Sequence, residues 1–179
     1  KTLNVIVYTT EMLTLYVMRH AKSSWDDPDL SDYDRPLNKR GKHNAKLMKK
    51  VMKKNKMFFD LAYVSGAKRT RETFRHIQDL CLKHVEFKKE YYLATSEEIL
   101  NSITSSDDNH KSILILNHEP TVKNLVQRLC SNFENVENFM FVKFSTAAIA
   151  TVKFNKLTWS EIEYGNGILD GFIKPKDYY

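Results

Sequence analysis

The sequence predicts an α/β protein: a three-layer α/β/α sandwich with one mostly parallel central sheet covered by helices on both faces. Two observations carry the prediction. Short apolar runs rich in β-branched and aromatic residues alternate with segments of helical period, and turn residues mark the junctions between them. The chain is also 179 residues long, near the ~150 residues of a single domain, with no internal repeat and no linker-like stretch.

Residues 1–12 read as an N-terminal extension and residues 13–179 as a single domain. Lys1 to Glu11 precede a second candidate start, Met12. Their extended apolar character (Leu3, Val5, Val7) suits an extra edge strand, an upstream start or added sequence. A cleavable secretory signal is not expected, because the apolar core is short and no small-residue cleavage site follows it.

Leu13 to Met18 is a continuous apolar run, short enough to be a strand buried on both faces, and it ends at Arg19-His20. Asn38 caps a predicted helix running to about Asn55, which buries Ala45, Met48, Val51 and Met52 and turns its lysines to water. Phe58 to Val64 reads as a second strand. After Ser65-Gly66, the spacing of Phe74, Ile77, Leu80 and Cys81 predicts a helix from about Lys68 to Leu82. Thr95 and Glu98 form a capping-box pair that starts a short helix carrying Ile99, Leu100 and Ile103. Ser112 to Leu116 is the clearest strand. Pro120 occupies a favoured first-turn position for a helix that buries Val122, Leu125, Val126 and Leu129. In the tail, Ala147 to Phe154 and Trp159 to Tyr164 read as two β segments around an Asn155-Lys156-Leu157 turn.

Composition removes several classes. With 42% hydrophobic and 28% charged residues, 5 Gly and 4 Pro, the chain is neither disordered nor collagenous. The apolar stretch from Leu3 to Met18 is broken by Thr9, Thr10 and Glu11, short of the ~20 residues a membrane span needs, so no membrane association is expected. Two cysteines, Cys81 and Cys130, each among apolar residues, make neither a disulfide framework nor a zinc site, and a cytoplasmic location is expected. Much of the +6 net charge comes from lysines between Lys39 and Lys56, spaced as a solvated helix face. Nucleic-acid binding is not expected, because no binding module or aromatic interleaving accompanies that charge.

Ligands of open α/β sheets bind outside the carboxyl ends of the strands. Three segments fall there: Arg19-His20, Ser65 to Arg69, and Asn117-His118. Two guanidinium forks hold phosphoryl oxygens and stay charged, while a neutral imidazole is a competent nucleophile and a second imidazole can donate to the same group. Taken singly, each residue has a plainer reading. Arg19-His20 suits a surface ion pair, His118 a helix start, and Arg69, between Lys68 and Arg71, helix-surface charge. Their shared placement points to phosphate. His43, His76, His84 and His110 lack metal-ligand spacing and read as surface or helix-end residues.

The stretch Leu15-Tyr16-Val17-Met18-Arg19-His20-Ala21-Lys22-Ser23-Ser24-Trp25 resembles the Arg-His-Gly signature of the histidine phosphatase superfamily, the phosphoglycerate mutase-like fold, with Ala21 in the glycine position. Asp34-Arg35-Pro36-Leu37-Asn38-Lys39-Arg40-Gly41, Ser65-Gly66-Ala67-Lys68-Arg69-Thr70-Arg71-Glu72-Thr73 and Asn117-His118-Glu119-Pro120 continue the match. With Ser145-Thr146-Ala147-Ala148, Trp159 and Gly165-Asn166-Gly167, they resemble the SixA-type phosphohistidine phosphatase branch over residues 13 to about 176. The resemblance implies that His20 becomes phosphorylated, that Arg19 and Arg69 bind the phosphoryl oxygens, and that His118 completes the pocket. It implies hydrolysis through a covalent phosphohistidine with no metal and no cofactor. Asn117 and Glu119 depart from the glycine and asparagine usual beside that histidine.

Larger relatives use a carboxylate to protonate the leaving oxygen; Glu90 is the best-spaced candidate, with Asp26, Asp27 and Glu119 as alternatives. Phosphohistidine needs this acid less, since imidazole, with a pKa near ~6.5, can leave already protonated. Lys22 and Ser23 suit the pocket mouth. Arg35 suits either the phosphate site or a pairing with Asp32 or Asp34. The expected substrate is a phosphorylated protein such as a histidine phosphotransfer domain, acted on by a monomer or weak dimer. A small-molecule phosphomonoesterase and a non-catalytic phosphoprotein binder are the alternatives. The short stretch between Arg69 and Ser112 leaves little material for a lid, which favours a protein substrate, and the Lys39 to Lys56 face could steer an acidic partner.

Overall fold

The computed structural model describes residues 12–133 and 139–179. Seven strands form one sheet: β1 (Leu13–Arg19), β2 (Phe59–Ser65), β3 (Cys81–Lys88), β4 (Ser112–Asn117), β5 (Cys130–Asn132), β6 (Ile149–Phe154) and β7 (Gly167–Ile173), in the order β3-β2-β4-β1-β6-β7-β5. The pairs β3–β2, β2–β4, β4–β1 and β5–β7 are parallel, whereas β6 is antiparallel to both β1 and β7. The predicted extension falls, apart from the exposed Met12, outside the described residues.

Alternation along the central strands builds the two faces. Leu13, Leu15 and Val17 of β1 join Ile113 and Ile115 of β4 under α3 (Ser96–Thr104) and α4 (Thr121–Leu129). Tyr16, Met18, Leu114 and Leu116 face the other way, against α1 (Lys39–Lys54) and α2 (Lys68–Ile77). Strands buried on both faces read as unbroken apolar runs, which is why β1 and β4 are legible in the sequence. Asn38 caps α1 through its side chain, and Thr95 and Glu98 close the capping box of α3.

Two predicted elements are corrected. The helix predicted to Leu82 ends at Ile77; a 3-10 turn (Gln78–Leu80) follows, and Cys81 opens β3. The buried stripe Phe74, Ile77 and Leu80 runs through both turns, so helical period overshoots the helix. As an end strand, β3 pairs with β2 alone among the described residues and buries no side chain fully, so it shows no buried alternation. The Trp159 to Tyr164 segment is not a strand. Trp159–Glu161 is a 3-10 turn that anchors the buried Trp159, whose backbone N–H donates to Asp108 Oδ1 (2.8 Å) and whose Nε1–H donates to the His110 carbonyl (2.6 Å). The strand is β7, whose Gly167, Asp170 and Gly171 read as turn residues.

Candidate active site

Three parallel strands end on one rim and deliver the predicted residues there. Arg19, the last residue of β1, pairs in register with Asn117, the last of β4, and the His20 amide donates to the Asn117 carbonyl at 3.0 Å. His20 and His118 therefore leave neighbouring strands side by side, with ring centroids 5.1 Å apart. Ser65 ends β2 and its hydroxyl lies 2.8 Å from His118 Nε2. Arg69 comes from the first turn of α2.

The helix that carries Arg69 also fixes the loops. Thr73 Oγ1 accepts the Ala21 amide at 3.0 Å, Glu72 Oε2 accepts the Leu37 amide at 2.7 Å, and the Thr70 hydroxyl donates to the Ser65 carbonyl at 2.6 Å. Gly41, in the first turn of α1, lets that helix approach the loop after His20. A Cβ at this position would lie 2.1 Å from the Lys22 carbonyl oxygen.

His20 is buried, and its Nδ1 lies 2.7 Å from the Ala21 carbonyl. A carbonyl only accepts, so Nδ1 carries the proton and Nε2 of the neutral ring keeps its lone pair. Burial pulls the His20 pKa well below the ordinary value of 6.5, with His118, Arg69 and Arg19 pushing the same way against the Ala21 bond. Burial first, then Arg69 and Arg19, pull His118 down to about 3, partly opposed by Asp32. Both imidazoles are thus neutral at pH 7. Buried Nε of Arg19, Nε of Arg69 and Nδ1 of His118 have no hydrogen-bond partner. Both guanidinium groups interact electrostatically with His20 and His118, so their positive charge falls on the histidine pair, as an oxyanion site requires.

Each arginine is held from outside. Arg19 donates through Nη1 to the Phe144 carbonyl at 2.8 Å. Arg69 donates through Nη1 to the Asp32 carbonyl and through Nη2 to Asp32 Oδ2 at 2.9 Å. Asp32 also accepts from Arg35 and from the Tyr92 hydroxyl, the latter at 2.6 Å. Burial opposes ionisation of Asp32, but the hydrogen bonds from Tyr92, Arg69 and Arg35 hold its carboxyl well below the usual carboxylate range. The Tyr92 ring stands edge-on to His118, centroids 5.6 Å apart.

A family model described as "Histidine phosphatase superfamily (branch 1)" matches residues 15–94. An uncharacterized protein of Mycobacterium tuberculosis is 32% identical over 163 residues, covering 89% of this chain and 100% of the relative. The chain belongs to the histidine phosphatase superfamily. Phosphohistidine phosphatase SixA of Escherichia coli is 27% identical over 177 residues, 91% of this chain and 94% of that protein. The fold of protein histidine phosphatase SixA complexed with tungstate superposes with a TM-score of 0.75 at 24% identity, covering 93% of this chain and 100% of that chain.

Against this superfamily background, the four predicted pocket residues Arg19, His20, Arg69 and His118 meet at one rim. Other expectations are redistributed. Arg35 pairs with Asp32, not Asp34, and its guanidinium lies 3.5 Å from the Trp25 ring centroid. Glu90 sits in the wall of a groove with Tyr33 and Tyr92. Asp26 and Asp27 line a different cleft with Lys39 and Lys42. Of the carboxylate candidates, Glu119 interacts electrostatically with Arg19; burial raises its pKa, opposed by Lys123 and Arg19. Lys22 is exposed and Ser23 buried. Sequence reading missed Tyr92 and the roles of Asp32 and Ser65. Tyr92 lies on a short 3-10 turn (Lys89–Tyr92), where no periodic pattern marks which side chain turns inward. Asp32 carried a signal in Asp32-Tyr33-Asp34-Arg35, two acids before an arginine, though not the identity of its main partner.

Proposed function

We propose that this chain is a phosphatase that removes the phosphoryl group from phosphohistidine on a protein, through a covalent intermediate on His20. The observation that carries the reading is the fixed tautomer of His20. Its Nδ1–H is committed to the Ala21 carbonyl, so the free lone pair belongs to Nε2, beside two guanidinium groups. Nε2 attacks phosphorus and the substrate P–N bond breaks. The departing imidazole takes up a proton, which its own basicity allows near neutral pH. Water then attacks phosphorus, the bond to Nε2 breaks, and inorganic phosphate leaves with His20 restored.

Arg19 and Arg69 neutralise the equatorial oxygens during both transfers. His118, neutral and anchored on Ser65, presents its ring to the same group. SixA relatives support the substrate class: one carries the name phosphohistidine phosphatase, and a solved neighbour is bound to tungstate, a tetrahedral oxyanion. A phosphate-ester reading draws on Glu119, whose raised pKa favours the protonated form an alkoxide leaving group would require.

The test is phosphate release from a phosphohistidine-bearing protein and from an aryl phosphate, with chelator present, comparing wild type with His20→Ala. The proposal expects preferential release from phosphohistidine, lost in His20→Ala, and a rapidly quenched, alkali-stable phosphoryl label on wild type alone. Activity on the aryl ester only would replace the substrate class, and activity surviving in His20→Ala would remove the nucleophile.

A further inference from the structure

Beside the phosphoryl pocket lies a groove of about 460 Å³, lined by Tyr33, Lys89, Glu90, Tyr92 and Leu93. Tyr92 is its shared wall with the pocket: one edge contact reaches His118 at 5.6 Å, and another reaches Tyr33 at 5.1 Å, between ring centroids. Gly66 packs against two of these lining residues: a Cβ there would lie 2.4 Å from the Tyr33 hydroxyl and 3.1 Å from the Lys89 Cα. At the lip, Leu93 is 84% exposed, although apolar neighbours Tyr91 and Ala94 on either side of this turn are buried. Lys89 and Glu90 carry opposite charges at the rim, so the groove selects by apolar fit more than by charge.

We infer that this groove is a docking site for the phosphorylated protein, taking an apolar side chain one to two helical turns from its phosphohistidine. The inference rests on the phosphohistidine reading above and adds how the partner is recognised. Continuity is the main argument: an occupant of the groove touches Tyr92, which already touches the pocket histidine. Reach is the second. Ring centroids step 5.1 Å from His20 to His118 and 5.6 Å from His118 to Tyr92, each comparable with the about 5–6 Å between Cβ atoms three or four apart on a helix, so one to two helical turns span the rim. A helix laid across this rim places its modified residue over His20 and its apolar neighbour in the groove, the helix-in-groove mode of recognition. Leu93 makes the contact without serving the fold, since most of its side chain is in water.

Leu93→Asp tests this with little risk to folding, and Leu93→Met is the conservative control. The probe is a histidine phosphotransfer domain phosphorylated with phosphoramidate, beside an aryl phosphate. Leu93→Asp is expected to raise KM for the phosphoprotein about tenfold or more, the loss of one buried leucine contact, with kcat/KM for the aryl phosphate unchanged. Leu93→Met should restore the phosphoprotein KM. Moving the apolar neighbour on the partner helix to Asp should cost as much as Leu93→Asp, and the two changes together no more than either alone. Equal loss on both substrates would make the groove a leaving-group pocket for small esters, and an unchanged phosphoprotein KM would remove the docking site. Should wild type release no phosphate from either substrate, the function reading fails by itself. Binding of the phosphorylated domain to His20→Ala, with and without Leu93→Asp, then decides the groove.

Discussion

Acidification should destabilise this protein through His118 before its carboxylates titrate. The ring is held neutral, with its pKa down at about 3 from an ordinary 6.5, by burial and by the nearby Arg69 and Arg19. A group whose folded pKa is depressed in this way binds protons in the unfolded chain first. Stability is therefore unaffected above about pH 6.5 and falls as pH drops below it, by about 1.4 kcal/mol per pH unit until the folded pKa is reached. From pH 7 to 4.5 the loss from His118 is roughly 2.5 kcal/mol, and any folded pKa well below 4.5 gives the same figure. His20 contributes with the same sign. Asp32, whose carboxyl is held low, loses its stabilisation only below the ordinary carboxylate value of 3.8, outside this window. The assay is urea unfolding of wild type and His118→Gln at pH 7 and 4.5. The variant should lose about 2.5 kcal/mol less than wild type between the two. Equal losses in both proteins would mean that His118 titrates normally in the fold, and the neutral-pocket argument would fail with it.

Two further outcomes follow from contacts around the site. Asp32→Asn removes the carboxylate that Arg69, Arg35 and Tyr92 share. With that side chain 47% exposed, solvent limits the loss of Arg69 alignment to about 1–2 kcal/mol, a 5- to 30-fold weaker inhibition by tungstate. In an Arg69→Lys background the same change should add almost nothing, and tighter tungstate binding in Asp32→Asn would show that the carboxylate competes with the oxyanion. Gly41→Ala puts a Cβ against the Lys22 carbonyl oxygen, so overpacking of about 1–3 kcal/mol should exceed the helix-propensity gain of up to ~1 kcal/mol. A lower urea midpoint is expected, and a higher one would disprove the close approach.

The elements legible in the sequence were those whose burial imposes a period. β1 and β4, covered on both faces, announce themselves as apolar runs, and α1 and α3 carry their capping residues in place. β3 and β7 were missed because an end strand and a glycine-containing strand bury too little on a fixed period. The pocket was legible to the extent that strand ends fix it: Arg19, His20 and His118 follow directly from the β1–β4 register. Asp32, Tyr92 and Ser65 were not assigned there, because the first two come from short turns and Ser65 acts through a hydroxyl that no pattern distinguishes. Which carboxylate approaches an arginine is decided by tertiary packing, and this is why spacing favoured Glu90 while the fold brings Glu119 near Arg19.

The sheet order has a consequence for how the chain is made. β1 is the earliest strand among the described residues, yet its two neighbours are β4, ending at Asn117, and β6, ending at Phe154. During synthesis the run Leu13–Arg19 waits for both of these neighbours while residues 20–117, the whole stretch through β4, are added. At roughly 5–20 residues per second that interval lasts about 5–20 s, long enough for an apolar β-prone segment to find a wrong partner. The nascent chain is thus most exposed to misassembly and to chaperone capture at the strand that will carry Arg19 and present His20. A ribosome-stalled fragment ending before β6 should be more readily bound by such factors than one that includes it.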